Sequence, residues 1–329
     1  MKGVKIYSQK DIDALLATRK GETKFGEKLN FVEELDQLKE SKAKYVLLGI
    51  PEDIGVRANH GKPGTAKAWP EALKALSNIQ VNRYNNPDNL ILLGEVNCDD
   101  FMKRAANIDP TDPNYFVKLG DIVKQIDQVV SEVIARIIAQ NKVPIIIGGG
   151  HNNAYGNIKG AAKALKTPIN VLNIDAHTDL RQLEHRHSGN GFSYAIEGQY
   201  LFKYSVFGLH RNYTPEYIFE EMDRADISYI LHEDLQSDPS KAMRSFEESL
   251  SKVKNEKFGL ELDCDSICGF PSSAKSPSGF NLDEIRHFLR RTSKEENCCY
   301  LHICEAAPNE VSGNQTAKAI SYFISDFLN

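Results

Sequence analysis

The chain has 329 residues, 41% of them hydrophobic and 26% charged, with a formal net charge of -5 and a pI near 6.0. That length and apolar share support a substantial buried core, while the acidic balance offers no footprint for nucleic acid or an anionic membrane surface. No stretch approaches the roughly eighteen apolar residues of a membrane span, and Met1-Lys2-Gly3-Val4-Lys5 is not followed by a signal core, so a cytoplasmic protein with small-molecule partners is expected.

Residues 1–40 or so are polar and charged, with a short helical signal over 11–16, and read as a peripheral segment of a single domain spanning 1–329. Apolar runs at 44–50, 90–95, 143–148, 169–174, 203–208, 227–231, 257–262 and 299–304 read as strands. They are continuous rather than alternating, as strands buried on both faces are. Helical stretches separate most of them. The clearest runs from Tyr115 to Gln140, where Val117, Ile122, Ile126, Val129, Val130, Val133, Ile134 and Ile137 recur at helical spacing. Thr214-Pro215 reads as a cap with proline at the first helical position, Pro239 and Asn281 open further helices, and a last helix covers 316–328. This alternation predicts an α/β fold of three layers, α/β/α, around one mostly parallel sheet, with no linker to divide it.

Three of the apolar runs end in chemistry. The first, 143–147, leads into Gly148-Gly149-Gly150-His151; the second, 169–174, into Asp175-Ala176-His177-Thr178-Asp179; the third, 258–262, into Asp263-Cys264-Asp265. In an extended chain Asp175, His177 and Asp179 point to one side, and a parallel sheet delivers all three clusters to the same carboxyl edge. One Asp-X-His-X-Asp alone is as well explained by hydrogen bonding at a strand end; three such clusters point to a metal site. A carboxylate-rich set with few imidazoles and no thiolate suits manganese better than zinc, and four aspartates call for the charge of two divalent cations, with a water activated between them. The six cysteines lack the spacing of a disulfide framework, and Cys264 and Cys268, as C-x3-C, lack the second pair of a zinc site.

These motifs, together with Ser276-Pro277-Ser278-Gly279-Phe280 and Cys304-Glu305-Ala306-Ala307-Pro308, resemble nearly end to end the ureohydrolases: arginase, agmatinase and formimidoylglutamase. The resemblance implies an arginase-like fold and two Mn2+ per chain. It places one ion on His151, Asp175, Asp179 and Asp263, and the other on Asp175, His177, Asp263 and Asp265. It also implies a catalytic part for Asp179, a place for Glu305 opposite a substrate amidinium, and a possible homo-oligomer. Read alone, Glu305 is better explained as a surface ion pair.

Three features resemble formimidoylglutamases in particular, which would make the reaction the hydrolysis of N-formimino-L-glutamate to glutamate and formamide. Gly150 stands where arginases and agmatinases usually have Asp. Arg181 could fork onto a substrate carboxylate, or serve a structural ion pair. The loop Glu52 to Gly64 carries Gly55-Val56-Arg57 and Asn59, with Lys62 in place of a usual arginine; it suits anion capture, or is a solvated turn. Arg57, Asn59, Arg181, Ser188 and Asn190 are therefore the substrate-binding candidates. Departures also stand out. Ser188 occupies the place of the histidine that shuttles protons in arginase and agmatinase, leaving the adjacent His187 as acid candidate, with His185 and His210 behind it. Cys268 replaces a third aspartate, and Glu261 the usual serine. Arginase and agmatinase activity, a catalytically silent binding subunit and a two-metal phosphoesterase are the alternatives.

Overall fold

The computed structural model describes residues 3–236 and 239–329, so Met1 and Lys2 of the expected N-terminal segment lie outside the described residues. Nine strands form one sheet: β1 (Val4–Ile6), β2 (Tyr45–Gly49), β3 (Leu90–Val96), β4 (Val143–Ile147), β5 (Ile169–Ile174), β6 (Leu201–Leu209), β7 (Ser228–Leu231), β8 (Phe258–Asp263) and β9 (Cys298–Cys304). Their order is β1-β3-β2-β4-β9-β8-β5-β6-β7, and every pair is parallel except β1 with β3.

The apolar runs fill both faces of this sheet, as continuous hydrophobicity requires. Leu47, Leu92, Ile145, Leu172, Leu260 and Leu301 face one layer, built from helices Ala68–Ser77, Pro239–Val253, Leu282–Thr292 and Gly313–Leu328. Their neighbours Val46, Ile91, Ile146, Val171 and Tyr300 face the other, where helices Tyr115–Ala139, Asn153–Leu165, Gly191–Glu197 and Glu216–Arg224 pack. The result is the three-layer α/β/α arrangement.

Local differences from expectation have physical causes. Strand β1 is short and turns its central Lys5 to solvent, so it carries no apolar run; it is an antiparallel edge. The same N-terminal segment seats Ile12, Phe25, Leu35 and Leu38 in the cores, with no more than 2% of each exposed. Pro215 stays extended at φ -73 and ψ 153, so it caps the helix rather than starting it. The last helix begins at Gly313, three residues before Thr316, whose hydroxyl bonds back to the Ser312 carbonyl.

In the middle of the sheet, β4, β9, β8 and β5 lie side by side, and their carboxyl ends open on the same edge. That is where a doubly wound sheet leaves room for a ligand.

Candidate metal centre and substrate cavity

The turn after β4 is held by glycine. Gly148 and Gly149 have φ of 93° and 74°, and a Cβ on Gly149 would lie 2.2 Å from Asn153 Nδ2. The buried Glu52 clamps this turn. Its Oε1 accepts from Gly150 N at 3.2 Å and from the side chains of Asn152 and Asn153 at 3.1 and 2.6 Å, while Oε2 accepts from Ile54 N at 2.6 Å. His151 is thereby set beneath the carboxyl edge of the sheet with its Nδ1 at 2.9, 3.1 and 3.2 Å from Asp179, Asp263 and Asp175.

Asp175, His177 and Asp179 do converge, but through a turn rather than an extended strand. Asp175 Oδ1 accepts the His177 N–H at 2.7 Å, and Asp179 takes up a left-handed φ of 50°. Asp263 repeats the device after β8, accepting the Asp265 N–H at 2.8 Å. His177 Nδ1 then lies 3.0 Å from Asp265 Oδ2 and 3.6 Å from Asp175 Oδ1. Two ligand groups result: His151, Asp175, Asp179 and Asp263, and beside them Asp175, His177 and Asp265. Asp175 belongs to both, while Asp263 falls in the first.

The electrostatics show what this arrangement asks for. Burial, then the charges of Asp265 and Asp175, push Asp263 well above the usual carboxylate range. Burial would raise Asp175 too, but the imidazoles of His151 and His177 hold it below that range. Burial and neighbouring carboxylates on one side and the imidazoles on the other thus split the aspartates, and the ring nitrogens of His151, fully buried, lack hydrogen-bond partners among the described residues. Hard oxygens with two imidazoles, crowded and short of positive charge, fit divalent cations.

Above the clusters opens a cavity of about 320 Å³, lined among others by His177, Asp179, Asp265 and Glu305. Glu305 follows β9 at a left-handed φ of 59°. Its Oε1 accepts the His151 backbone N–H at 2.6 Å, its Oε2 accepts from the Ser273 hydroxyl, and burial pushes it up to about 8. Of the seven non-glycine residues in the left-handed region among the described residues, Asp179 and Glu305 line this cavity.

Of the substrate-binding candidates, Arg181, Asn59 and Ser188 line the cavity, with Asn59 Nδ2 donating to Ser188 Oγ at 3.1 Å. The Arg181 guanidinium has no ion-pair partner among the described residues. The others are turned elsewhere. Arg57 Nε pairs with Asp53 Oδ1 at 2.9 Å. Asn190 is fully buried, its carbonyl engaged by Arg186 and the His187 N–H and its amide by the His185 carbonyl. His187 does not reach the cavity: Nε2 lies 3.1 Å from Glu184 Oε1, and Nδ1 accepts the Gly189 N–H at 3.0 Å. Burial lowers it to about 4. His210 is one layer back, stacked on Tyr213, which stacks in turn on His177 with ring centroids 5.0 Å apart. Glu52, Ser273 and Tyr213 escaped the sequence reading. Their parts depend on contacts between loops distant in the chain, and no local pattern signals them.

The model of the arginase family matches residues 43–329. Curated relatives include formimidoylglutamases of Geobacillus sp. (strain WCH70), 27% identical over 291 residues covering 86% of this chain and 82% of the relative, and of Macrococcus caseolyticus (strain JCSC5402), 28% identical over 284 residues covering 84% and 82%. Similar solved structures include formimidoylglutamase from Bacillus subtilis, with TM-score 0.74 and 17% identity over 95% of this chain and 93% of that one. Trypanosoma cruzi formiminoglutamase with Mn2+ aligns with TM-score 0.72 and 16% identity over 93% and 97%. With the family model spanning nearly the whole of the sheet and every ligand of both clusters, the chain belongs to the arginase family.

Proposed function

We propose that the protein is a dinuclear manganese hydrolase of an amidine C–N bond, acting on N-formimino-L-glutamate and water to give glutamate and formamide. The observation that carries this reading is one cavity with two carboxylate–imidazole clusters sharing Asp175 at its base and, facing them, the buried carboxylate of Glu305. The names of the curated relatives and the manganese of the Trypanosoma cruzi structure support it.

His151, Asp175, Asp179 and Asp263 would hold one ion, and Asp175, His177 and Asp265 the other. When bound, the pair supplies an activated water and positive charge opposite the reacting carbon. The protein's own groups do the rest. Glu305, oriented by Ser273 and the His151 N–H, accepts the paired N–H donors of the planar amidinium and sets its carbon above the clusters. Asp179, which lines the cavity, takes the proton of the attacking water. Arg181, at the cavity wall, forks onto a carboxylate of the glutamate tail, and Asn59 with Ser188 offers further hydrogen bonds.

The test is a substrate panel. Manganese-loaded protein is incubated with formiminoglutamate, arginine, agmatine and guanidinobutyrate, and formamide and urea are measured separately. Formamide from formiminoglutamate as the fastest product is expected; faster release of urea overturns the assignment.

A further inference from the structure

Behind the first cluster, on the side away from the cavity, lies a second charged group that the proposed reaction does not use. Glu261 and His302 are cross-strand partners on β8 and β9, both fully buried. Glu261 Oε2 meets His302 Nδ1 at 2.5 Å, and Oε1 accepts the Tyr300 hydroxyl at 2.7 Å. His302 Nε2 in turn lies 3.3 Å from the carbonyl of Gly148, the first residue of the turn that carries His151. Along both strands alternate residues share a face, so Gly259, Glu261 and Asp263 line up beside Tyr300, His302 and Cys304. The ring of Tyr300 lies over Gly259, where a Cβ would come within 2.1 Å of Cζ. Only glycine there lets the phenol reach Glu261.

A fully buried carboxylate is costly unless it is paired and hydrogen-bonded, as Glu261 is by Tyr300 and His302. One further atom lies in its reach. His151 Nε2 is buried without a hydrogen-bond partner among the described residues, and it lies 3.5 Å from Glu261 Oε2 while Nδ1 faces the three aspartates. A metal-binding imidazole generally donates its remote N–H to a carboxylate, which fixes the tautomer and the ring plane and raises the basicity of the coordinating nitrogen. Glu261 holds that place.

We infer that Glu261 is the positioning carboxylate of His151, and that Tyr300 and His302 lock it there. His302 acts twice, through the Glu261 side chain and through the Gly148 carbonyl, so ring and main chain of His151 are registered to the same residue. A serine at position 261 would carry no charge. This rests on the two-metal reading of the cavity, and it concerns the His151 group alone: among the described residues neither His177 nor Asp265 pairs with Glu261.

The test is manganese binding to metal-free protein, followed by calorimetric titration and by the electron paramagnetic resonance signal of free Mn2+. Wild type should show two binding events. Glu261→Gln, which keeps the shape and loses the charge, should weaken one event by about 10–100-fold and leave the other nearly unchanged, with the circular dichroism of the metal-free protein intact. Tyr300→Phe, which frees Glu261 on one side only, should weaken the same event severalfold, and it carries the test if Glu261→Gln does not fold. Wild-type affinity in the variants, or equal weakening of both events, overturns the inference. A wild-type protein that binds no manganese overturns the two-metal reading first, and this inference with it.

Discussion

Glu305 accepts the backbone N–H of His151 at 2.6 Å, so the carboxylate at the end of β9 and the imidazole after β4 are fixed to one another across two adjacent strands. One bond thus sets the height of the Glu305 carboxylate above the ligand clusters. The second oxygen of Glu305 takes the Ser273 hydroxyl, from a loop that also donates its Ser273 N–H to the Glu305 carbonyl at 3.1 Å.

Glu305→Gln keeps the shape and one oxygen to accept the His151 N–H, turns the second position into a donor and removes the negative charge. Charge-assisted hydrogen bonds contribute about 1.5–3 kcal/mol, so kcat/KM should fall roughly tenfold to more than hundredfold for every amidine substrate, whatever its tail, at unchanged manganese content. Ser273→Ala leaves the charge and loosens its aim, and should cost less than Glu305→Gln. Steady-state kinetics with metal analysis of the same samples decides; a larger loss in Ser273→Ala than in Glu305→Gln would contradict the assigned roles.

The two clusters make Asp175 the shared ligand, since it lies within both groups while Asp265 lies only in the second. Asp175→Ala should therefore lower manganese from about two ions per chain to well below one, while Asp265→Ala should retain about one, because the His151 group is untouched. Elemental analysis after loading and desalting reads this directly. Equal losses in the two variants would show that the sites do not divide as the geometry divides them.

Much of this was legible in the sequence because the ligands stand immediately after strands. The apolar runs that make β4, β5 and β8 are long enough to be seen, and a parallel sheet must bring their ends to one edge. Strand β1 left no such trace, being three residues with Lys5 exposed at its centre. Nor could spacing show that Asp175 and Asp263 fold back on their own chains, accepting the N–H of His177 and Asp265, which turns a strand end into a cradle. Residues chosen for position rather than contact fared worst. Arg57 lies in a motif that suits anion capture, yet a carboxylate four residues earlier claims it. His187 is adjacent to Ser188 in the chain, but its ring is turned away toward Glu184.

That orientation yields a prediction of its own. Burial holds His187 at about 4 against an ordinary 6.5, so between those values the unfolded chain binds a proton that the folded chain refuses. Stability from this residue is fully present above pH 6.5 and is lost as pH falls toward 4. His187→Asn keeps an acceptor for the Gly189 N–H and does not titrate. Urea unfolding of metal-free protein should show the variant losing less stability than wild type across that window, by up to about 3 kcal/mol. Its turnover at neutral pH should stay within a few-fold of wild type, because the ring does not face the cavity. A collapse of turnover in a folded variant would restore His187 as the acid.

The substrate assignment turns on Arg181, which lines the same cavity wall as Asn59 and Ser188 and has no ion-pair partner among the described residues. A structural arginine would be tied to a carboxylate of the protein, as Arg57 is to Asp53 and Arg186 to Asp127. Arg181 is exposed at the cavity wall, where its guanidinium is open to an anionic ligand. Arg181→Ala should then reduce kcat/KM for formiminoglutamate by roughly tenfold to more than hundredfold, the worth of a charge-assisted fork of about 1.5–3 kcal/mol. The loss should appear mainly in KM, since the tail is bound alike before and during reaction. An amidine without carboxylates should be hydrolysed by variant and wild type at similar, low efficiency, and manganese content should be equal in both. Unchanged formiminoglutamate kinetics in Arg181→Ala would move the carboxylate contact to another wall of the cavity, and an equal loss on the uncharged amidine would make Arg181 a structural residue.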